Sequence, residues 1–270
     1  MPPSRIIGCF LVRDEDVFVE QAVRNVADFC DELILIDHRS RDRTPSILAR
    51  LAEQIAKPIA IHRVDDASRS HAFVQGYAGG DVWVLGVDGD ELYDPAGLRL
   101  FREQLLGGEF DSWFLVRGNV LHCTALDGHS ARGYLAPPAT SMTKLYNLQI
   151  VERWDGEHPE RLGGADGLVF KPGYEFRKRN LYEETVWETA AFRCLHACFL
   201  RRSSRERKPG ARPSIPDDNQ PRRLPARLGR RLSRSVGFPQ ASSWKLENYR
   251  KGPVVTIDPR PFFAGEAPAA

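Results

Sequence analysis

The chain reads as an α/β protein with a mostly parallel sheet flanked by helices. Three observations predict it. Apolar runs of strand length alternate with stretches of helical period from residue 5 to about residue 121, an order that calls for parallel strands joined by helical crossovers. The runs are continuously apolar, as strands covered on both faces must be. Two of them end in acids, Asp37 in one and Asp88 with Asp90 in another, at the carboxyl edge where such sheets bind ligands.

Taken in order, "RIIGCFLV" (5–12) is a buried strand. Val19, Ala22, Val23, Val26 and Cys30 then recur at helical spacing, with acids ahead of them where the helix dipole favours them. "ELILID" (32–37) is the second strand. Thr44 suits an N-cap and Pro45 the first helical position, and Ile47, Leu48, Leu51 and Ile55 form the apolar face of that helix. A third strand covers 58–64, a helix 68–79 and a fourth strand 81–87. Asp94-Pro95 opens a helix that Gly107-Gly108 closes, and 112–121 reads as one further strand. Beyond about residue 125 short strands and loops are expected, while 186–200 is apolar and packed.

Composition narrows the class. The 270 residues, 42% hydrophobic, suffice for one large domain or one domain plus an appendage. No run approaches the ~18–20 apolar residues of a membrane span, and the first apolar run ends in charge rather than in a small-residue cleavage site, so no signal peptide is expected. Five scattered cysteines fit a reducing cytosol. Cys194 and Cys198 lack a companion Cys/His pair at zinc spacing in the sequence and read as core residues. Residues 201–235 hold twelve Arg and Lys against three acids, a net +9 in a chain whose total is +2, so the remainder carries −7. The body is mildly acidic and the tail strongly basic.

The chemistry concentrates in "VWVLGVDGDEL" (82–92). Like charges packed so closely are tolerated where something positive sits between them. A turn at Gly89 can bring both carboxylates toward one point, and hard divalent cations take oxygen ligands while keeping positions open for phosphate oxygens. The plainer reading is a solvated turn that opens the next helix. Asp37 opens "DHRSRDRT", where a strand-end acid can hydrogen-bond a base or ribose while Asp42 or Thr44 caps the helix.

These segments resemble a known family. "IIGCFLVRDEDVFVEQAVRNVADFCDELILIDHRSRDRT" and "GDVWVLGVDGDEL" are similar to the opening and the DXD region of family 2 glycosyltransferases of the GT-A fold, in the bacterial polysaccharide and lipopolysaccharide branch. "MTKLYN", "GEHPERL" and "CLHACFLRRSSRERK" resemble later segments of that pattern, so the resemblance spans roughly residues 4–208. It implies a nucleotide-binding half over about 1–125 and an acceptor half over about 126–200, while the Arg-, Pro- and Ser-rich composition beyond marks a basic, partly disordered extension over 201–270. It implies Mg²⁺ or Mn²⁺ at Asp88 and Asp90, with His196 reaching the metal or the diphosphate. Arg13, Glu15, Asp37, Ser40, Arg69 and Asp88 would bind a UDP- or GDP-linked sugar. Glu157, His158 and Glu160 would stand on the acceptor side as candidates for the general base of an inverting transfer to a glycan or glycolipid. Asp14-Glu15 replaces the usual NE, His38-Arg39-Ser40 the usual tGS, and "SRSHAF" the usual aRN, so Arg69 or His71 would stand in for that arginine.

His158 also reads as a surface turn residue and His196 as a core histidine. Residues 222–236 suit a basic amphipathic helix on an anionic membrane surface, with Leu224, Leu228 and Leu232 at four-residue spacing, or a solvated appendage. The segment has few aromatics to stack bases and no recognised binding fold, so nucleic acid is not an expected partner. The location expected is cytoplasmic, with the tail allowing peripheral attachment at the inner face of the membrane. Two rival functions are a nucleotidyltransferase, disfavoured because "VRDEDVF" lacks the glycines of that class, and a catalytically degenerate nucleotide-binding protein that keeps the fold.

Overall fold

The computed structural model describes residues 5–136, 143–155, 167–207 and 248–263. In chain order the elements are β1 (Arg5–Val12), α1 (Val19–Ala27), β2 (Glu32–Asp37), α2 (Thr44–Gln54), β3 (Ile59–Arg63), a 3-10 turn (Ala67–His71), α3 (Ala72–Gln75), β4 (Val82–Val87), β5 (Glu91–Tyr93) and α4 (Pro95–Leu106). Then come β6 (Leu115–Arg117), β7 (Asn119–Leu126), β8 (Ala131–Ala136), β9 (Lys144–Asn147), β10 (Val151–Trp154), β11 (Leu168–Phe170), β12 (Lys178–Asn180), β13 (Arg193–His196) and β14 (Val254–Ile257).

The main sheet has the order β12-β6-β9-β4-β1-β2-β3. All its pairings are parallel except those of β9, which is antiparallel to both neighbours. Alternate residues of β1 serve opposite faces, as the pleat requires. Ile6, Phe10 and Val12 join the cluster that takes in α1, α2 and α4, while Ile7, Cys9 and Leu11 join the one that takes in Val74 of α3 and the β10–β11 ribbon. β1, β2 and β4 are therefore covered on both sides, as the sequence predicts, whereas β3, at the edge of the sheet, stays partly open, with Ile61 exposed.

A second sheet, β14-β8-β7-β13-β5, lies beyond the carboxyl end of β4. The chain crosses into it through Asp88-Gly89-Asp90, because β5 pairs antiparallel with β13. The single strand expected over 112–121 is two strands in two sheets. The break falls at Gly118, where a Cβ would sit 2.1 Å from the carbonyl oxygen of Phe192. The expected helix over 68–79 shortens to a 3-10 turn and four helical residues.

Asp94 caps α4 as expected, accepting from the N–H groups of Ala96 and Gly97. Thr44 does not cap α2; its Oγ1 instead accepts the N–H of Glu15 at 2.9 Å, tying the turn after β1 to the start of that helix. Within the region assigned to a C-terminal extension, both described stretches pack on the domain. Residues 201–207 lie against the turns after β1 and β2, and β14 pairs with β8. The segment 222–236, expected to form an amphipathic helix, falls outside the described residues, as do Glu157, His158 and Glu160. No helix among the described residues is long and apolar enough to cross a membrane.

Candidate active site at the carboxyl edge of the main sheet

Three neighbouring parallel strands bring their carboxyl ends together. Val12 is the register partner of Asp37, and Phe10 of Val87, so the turn after β1 lies between the acid that ends β2 and the acids that follow β4. Asp37 is buried; its Oδ1 accepts the N–H of Ser40 at 3.1 Å, and Arg63 Nε approaches its Oδ2 to 3.7 Å. That Oδ2 has no hydrogen-bond donor among the described residues.

The turns after β1 and β2 brace each other. Ser40 Oγ accepts the N–H of Asp14 at 2.9 Å, and Asp14 Oδ1 accepts the N–H of Arg41 at 2.6 Å. Asp14 and Arg39 both adopt left-handed backbone, with φ of 51° and 56°. That conformation is uncommon for residues with a Cβ and is held where surrounding bonds fix it.

Gly89 joins the two sheets at close quarters. Its N–H donates to Glu15 Oε2 at 3.1 Å, and a Cβ there would lie 2.5 Å from that same oxygen. Glu15 thus belongs to the site, packed against the acidic turn.

The positive charge between the acids comes from the chain itself. Lys144 Nζ is 2.9 Å from Asp88 Oδ1 and 3.7 Å from Glu91 Oε1, its stem lying over Gly86 on the neighbouring strand. Arg202 Nη1 donates to Asp90 Oδ2 at 2.8 Å and stands 3.5 Å from Glu15 Oε1. His196 Nε2 is 3.6 Å from that same Asp90 oxygen. Asp90 Oδ1 is buried and has no hydrogen-bond partner among the described residues.

Burial opposes the ionisation of Asp90, but Arg202 and then His196 outweigh it and hold the carboxyl below its ordinary range. Glu91 goes the other way. Burial, reinforced by Asp88 and Asp90 and opposed by Lys144, pushes it up to about 8. Arg202 is held more firmly protonated than an ordinary arginine: burial disfavours its charge, and Asp90 and Glu15 override it.

Arg202 is held in place by its neighbours. Ser204 donates through its N–H and its hydroxyl to the two oxygens of Asp16, each at 2.6 Å, and Ser203 Oγ donates to Asp42 Oδ2 at 2.6 Å. Val17 N–H donates to the Arg202 carbonyl at 3.1 Å.

Of the residues singled out from the sequence, the structure brings together Glu15, Asp37, Ser40, Asp88, Asp90 and His196. Arg13 lies on the turn after β1, beside His38, whose imidazole is held below its ordinary pKa by burial and then by the Arg13 charge. Arg69 is exposed on the 3-10 turn and is not part of this network. Sequence reasoning missed Lys144, Glu91 and Arg202. A lysine inside the apolar run "MTKLYN" was a usable signal for the first; nothing singles Arg202 out from the basic run around it.

Fold and site together define a mixed α/β protein with a carboxylate-and-cation site at the carboxyl edge of a mostly parallel sheet. No family model matches the chain. Over 88 residues it is 40% identical to a TPR repeat-containing protein of Synechococcus elongatus, a stretch that covers 33% of this chain and 21% of that protein. The chain thus spans about a fifth of the length of the curated relative it matches. Among solved structures it is similar to TarS of S. aureus, at 13% identity and a TM-score of 0.43 over 72% of this chain and 60% of that one. It is similar also to glucosyl-3-phosphoglycerate synthase from Mycobacterium tuberculosis, solved with Mn²⁺, UDP and glucosyl-3-phosphoglycerate, at 19% identity and a TM-score of 0.32 over 44% of this chain and 45% of that one.

Proposed function

We propose that this chain is a GT-A-type glycosyltransferase that moves a sugar from a UDP- or GDP-linked donor to a hydroxyl of a glycan or glycolipid. The observation that carries the reading is a pair of buried carboxylate oxygens, Asp37 Oδ2 and Asp90 Oδ1, on acids at the same sheet edge, each with no hydrogen-bond donor among the described residues. Buried acceptors left without a donor are costly. A ligand with a donor-bearing base or ribose at one end and a cation-bound diphosphate at the other supplies what both lack.

In this reading Asp37, with Ser40 and Arg13 beside it, orients the nucleoside, and Glu15 shapes the floor through Gly89. The donor set fits a hard divalent cation. Asp88 and Asp90 offer carboxylate oxygens, one of them unpartnered, and His196, with Nε2 3.6 Å from Asp90, orients that carboxylate rather than ligating the ion. Mg²⁺ or Mn²⁺, when bound, supplies Lewis-acid charge to the leaving diphosphate. Lys144 and Arg202 add two fixed positive charges at the same place. The acceptor-side base is assigned to Glu157, His158 or Glu160. General-base help of this kind is worth ~10²- to 10⁴-fold, and attack opposite the leaving group inverts the anomeric centre. The basic segment 222–236 is assigned to an anionic membrane surface, in keeping with a lipid-borne acceptor at the inner face of the membrane.

One observation favours a second reading, a catalytically degenerate nucleotide-binding protein. Asp88 and Asp90 already hold protein cations at 2.9 and 2.8 Å, which a metal would have to compete with or share. Calorimetry with UDP and GDP, with and without Mn²⁺, separates the two. The transferase reading expects Mn²⁺ to tighten nucleotide binding, and Asp88→Asn and Asp90→Asn to abolish that gain. It fails if both variants keep metal binding and transfer. Nucleotide binding indifferent to Mn²⁺, without transfer, leaves the second reading standing.

A further inference from the structure

His196 has a second face. Its Nδ1 lies 2.9 Å from Nδ1 of His122, and Cys198 Sγ stands 3.9 Å from that His122 atom. One donor atom from each of the three residues lies within 4.8 Å of the others, and all three residues are buried. His122 and His196 are register partners on the parallel strands β7 and β13, and Cys198 follows just beyond the end of β13. Tyr249 stacks on His122 at 4.2 Å and closes the group from the C-terminal segment. The companions that Cys198 lacks in the sequence are supplied in space, by a histidine 76 residues away.

We propose that His122, His196 and Cys198 form a binding site for a borderline-soft divalent cation, zinc by chemical preference, distinct from the site at Asp88 and Asp90. Two imidazole nitrogens and a thiolate are a zinc donor set, and bonds of ~2.0–2.3 Å to one ion span separations of the size seen here. Asp90 completes the arrangement from behind. Its carboxylate faces Nε2 of His196, which favours the Nε2–H tautomer and keeps a lone pair on Nδ1, the atom that meets His122 and would turn to the ion. Cys198 binds as the thiolate, its proton passing to solvent as the ion loads, and one tetrahedral position is left to water or a further donor. The bound ion would pin β7 and β13 together and fix the start of the segment that carries Arg202 to Asp90 and Glu15.

This inference does not rest on the nucleotide-sugar reading, and its test uses a different readout. The full-length chain is loaded with Co²⁺ in place of zinc, and the thiolate-to-cobalt charge-transfer band is recorded in the near ultraviolet. The expected result is such a band in the wild type, with one ion retained per chain after dialysis, lost in Cys198→Ser and kept in Asp88→Asn. Chelator should lower the Tm of the zinc-loaded wild type and leave that of Cys198→Ser unchanged. A wild-type cobalt spectrum without a thiolate band, or a band undiminished in Cys198→Ser, overturns the site. The wild-type spectrum decides even if a variant fails to fold.

Discussion

Arg202 lies between two acids that reach it from different parts of the chain, Asp90 from the turn after β4 and Glu15 from the turn after β1. Its guanidinium and the Asp90 carboxylate are both almost wholly out of water, so neither charge is solvated if the other is removed. Breaking a buried pair by deleting one partner costs ~3–5 kcal/mol, and Arg202→Met is expected to lower stability by about that much in urea titration. Asp90→Asn should cost less, because the arginine keeps Glu15. If Arg202→Met is as stable as the wild type, the pair is not buried as described.

Glu91 supplies a pH signature. Its folded pKa of about 8 lies above its ordinary value of 4.5. The folded state therefore binds the proton more tightly than the unfolded chain, and stability falls as pH rises from the lower value toward the higher. Glu91→Gln removes that dependence. Its stability relative to wild type should climb with pH between 4.5 and about 8, and urea midpoints that stay parallel across the window would contradict the assignment.

At the scale of the element, the decisive feature is the turn that hands the chain from one sheet to the other. Its flanking strand β4 is legible as an uninterrupted apolar run. Strand β5 is not, because "ELY" is three residues long and begins with an acid that becomes wholly buried. The split of 112–121 is hidden for a related reason. The apolar run "WFLVRGNVL" shows no change of period at Gly118, and the break comes from the backbone of Phe192, which arrives from far along the sequence. Gly118→Ala is expected to destabilise by ~1–3 kcal/mol, the range for forcing extra atoms into a packed site. The N-cap of α4 was readable, since Asp-Pro ahead of a helical period is a local signal. Asp94→Ala should cost ~1 kcal/mol for the cap and should also loosen Arg193, which Asp94 holds at 2.8 Å. Asp94→Asn should keep the cap and lose only the ion pair; equal losses in the two variants would count against this division.

For the whole molecule, the surprise lies near the end of the chain. Phe262 is buried against Trp187 at 5.8 Å between ring centroids, and its carbonyl accepts from Asn25 of α1 at 2.7 Å. The same Asn25 side chain donates to the carbonyl of Tyr93 at 2.6 Å, so one amide joins a helix, the second sheet and the C-terminal segment. Phe262→Ala is expected to cost ~3–5 kcal/mol, as for other fully buried aromatics. A cost near zero in thermal unfolding would return this segment to the status of an appendage.

The sequence by itself determined the parallel core, four of its strands, the helices after the first two of them and the acids that end β2 and follow β4. Those features are written in local periodicity, and a strand buried on both faces must be apolar wherever it sits. The tertiary structure alone decided what meets those acids. Lys144, Arg202 and His122 converge on them from separate elements, and although a lysine inside an apolar run hints at burial, no local pattern distinguishes Arg202 from the arginines around it that face water. Their burial, pairing and shifted ionisation arise only when β9, the second sheet and the segment after β13 meet at the edge of the parallel strands.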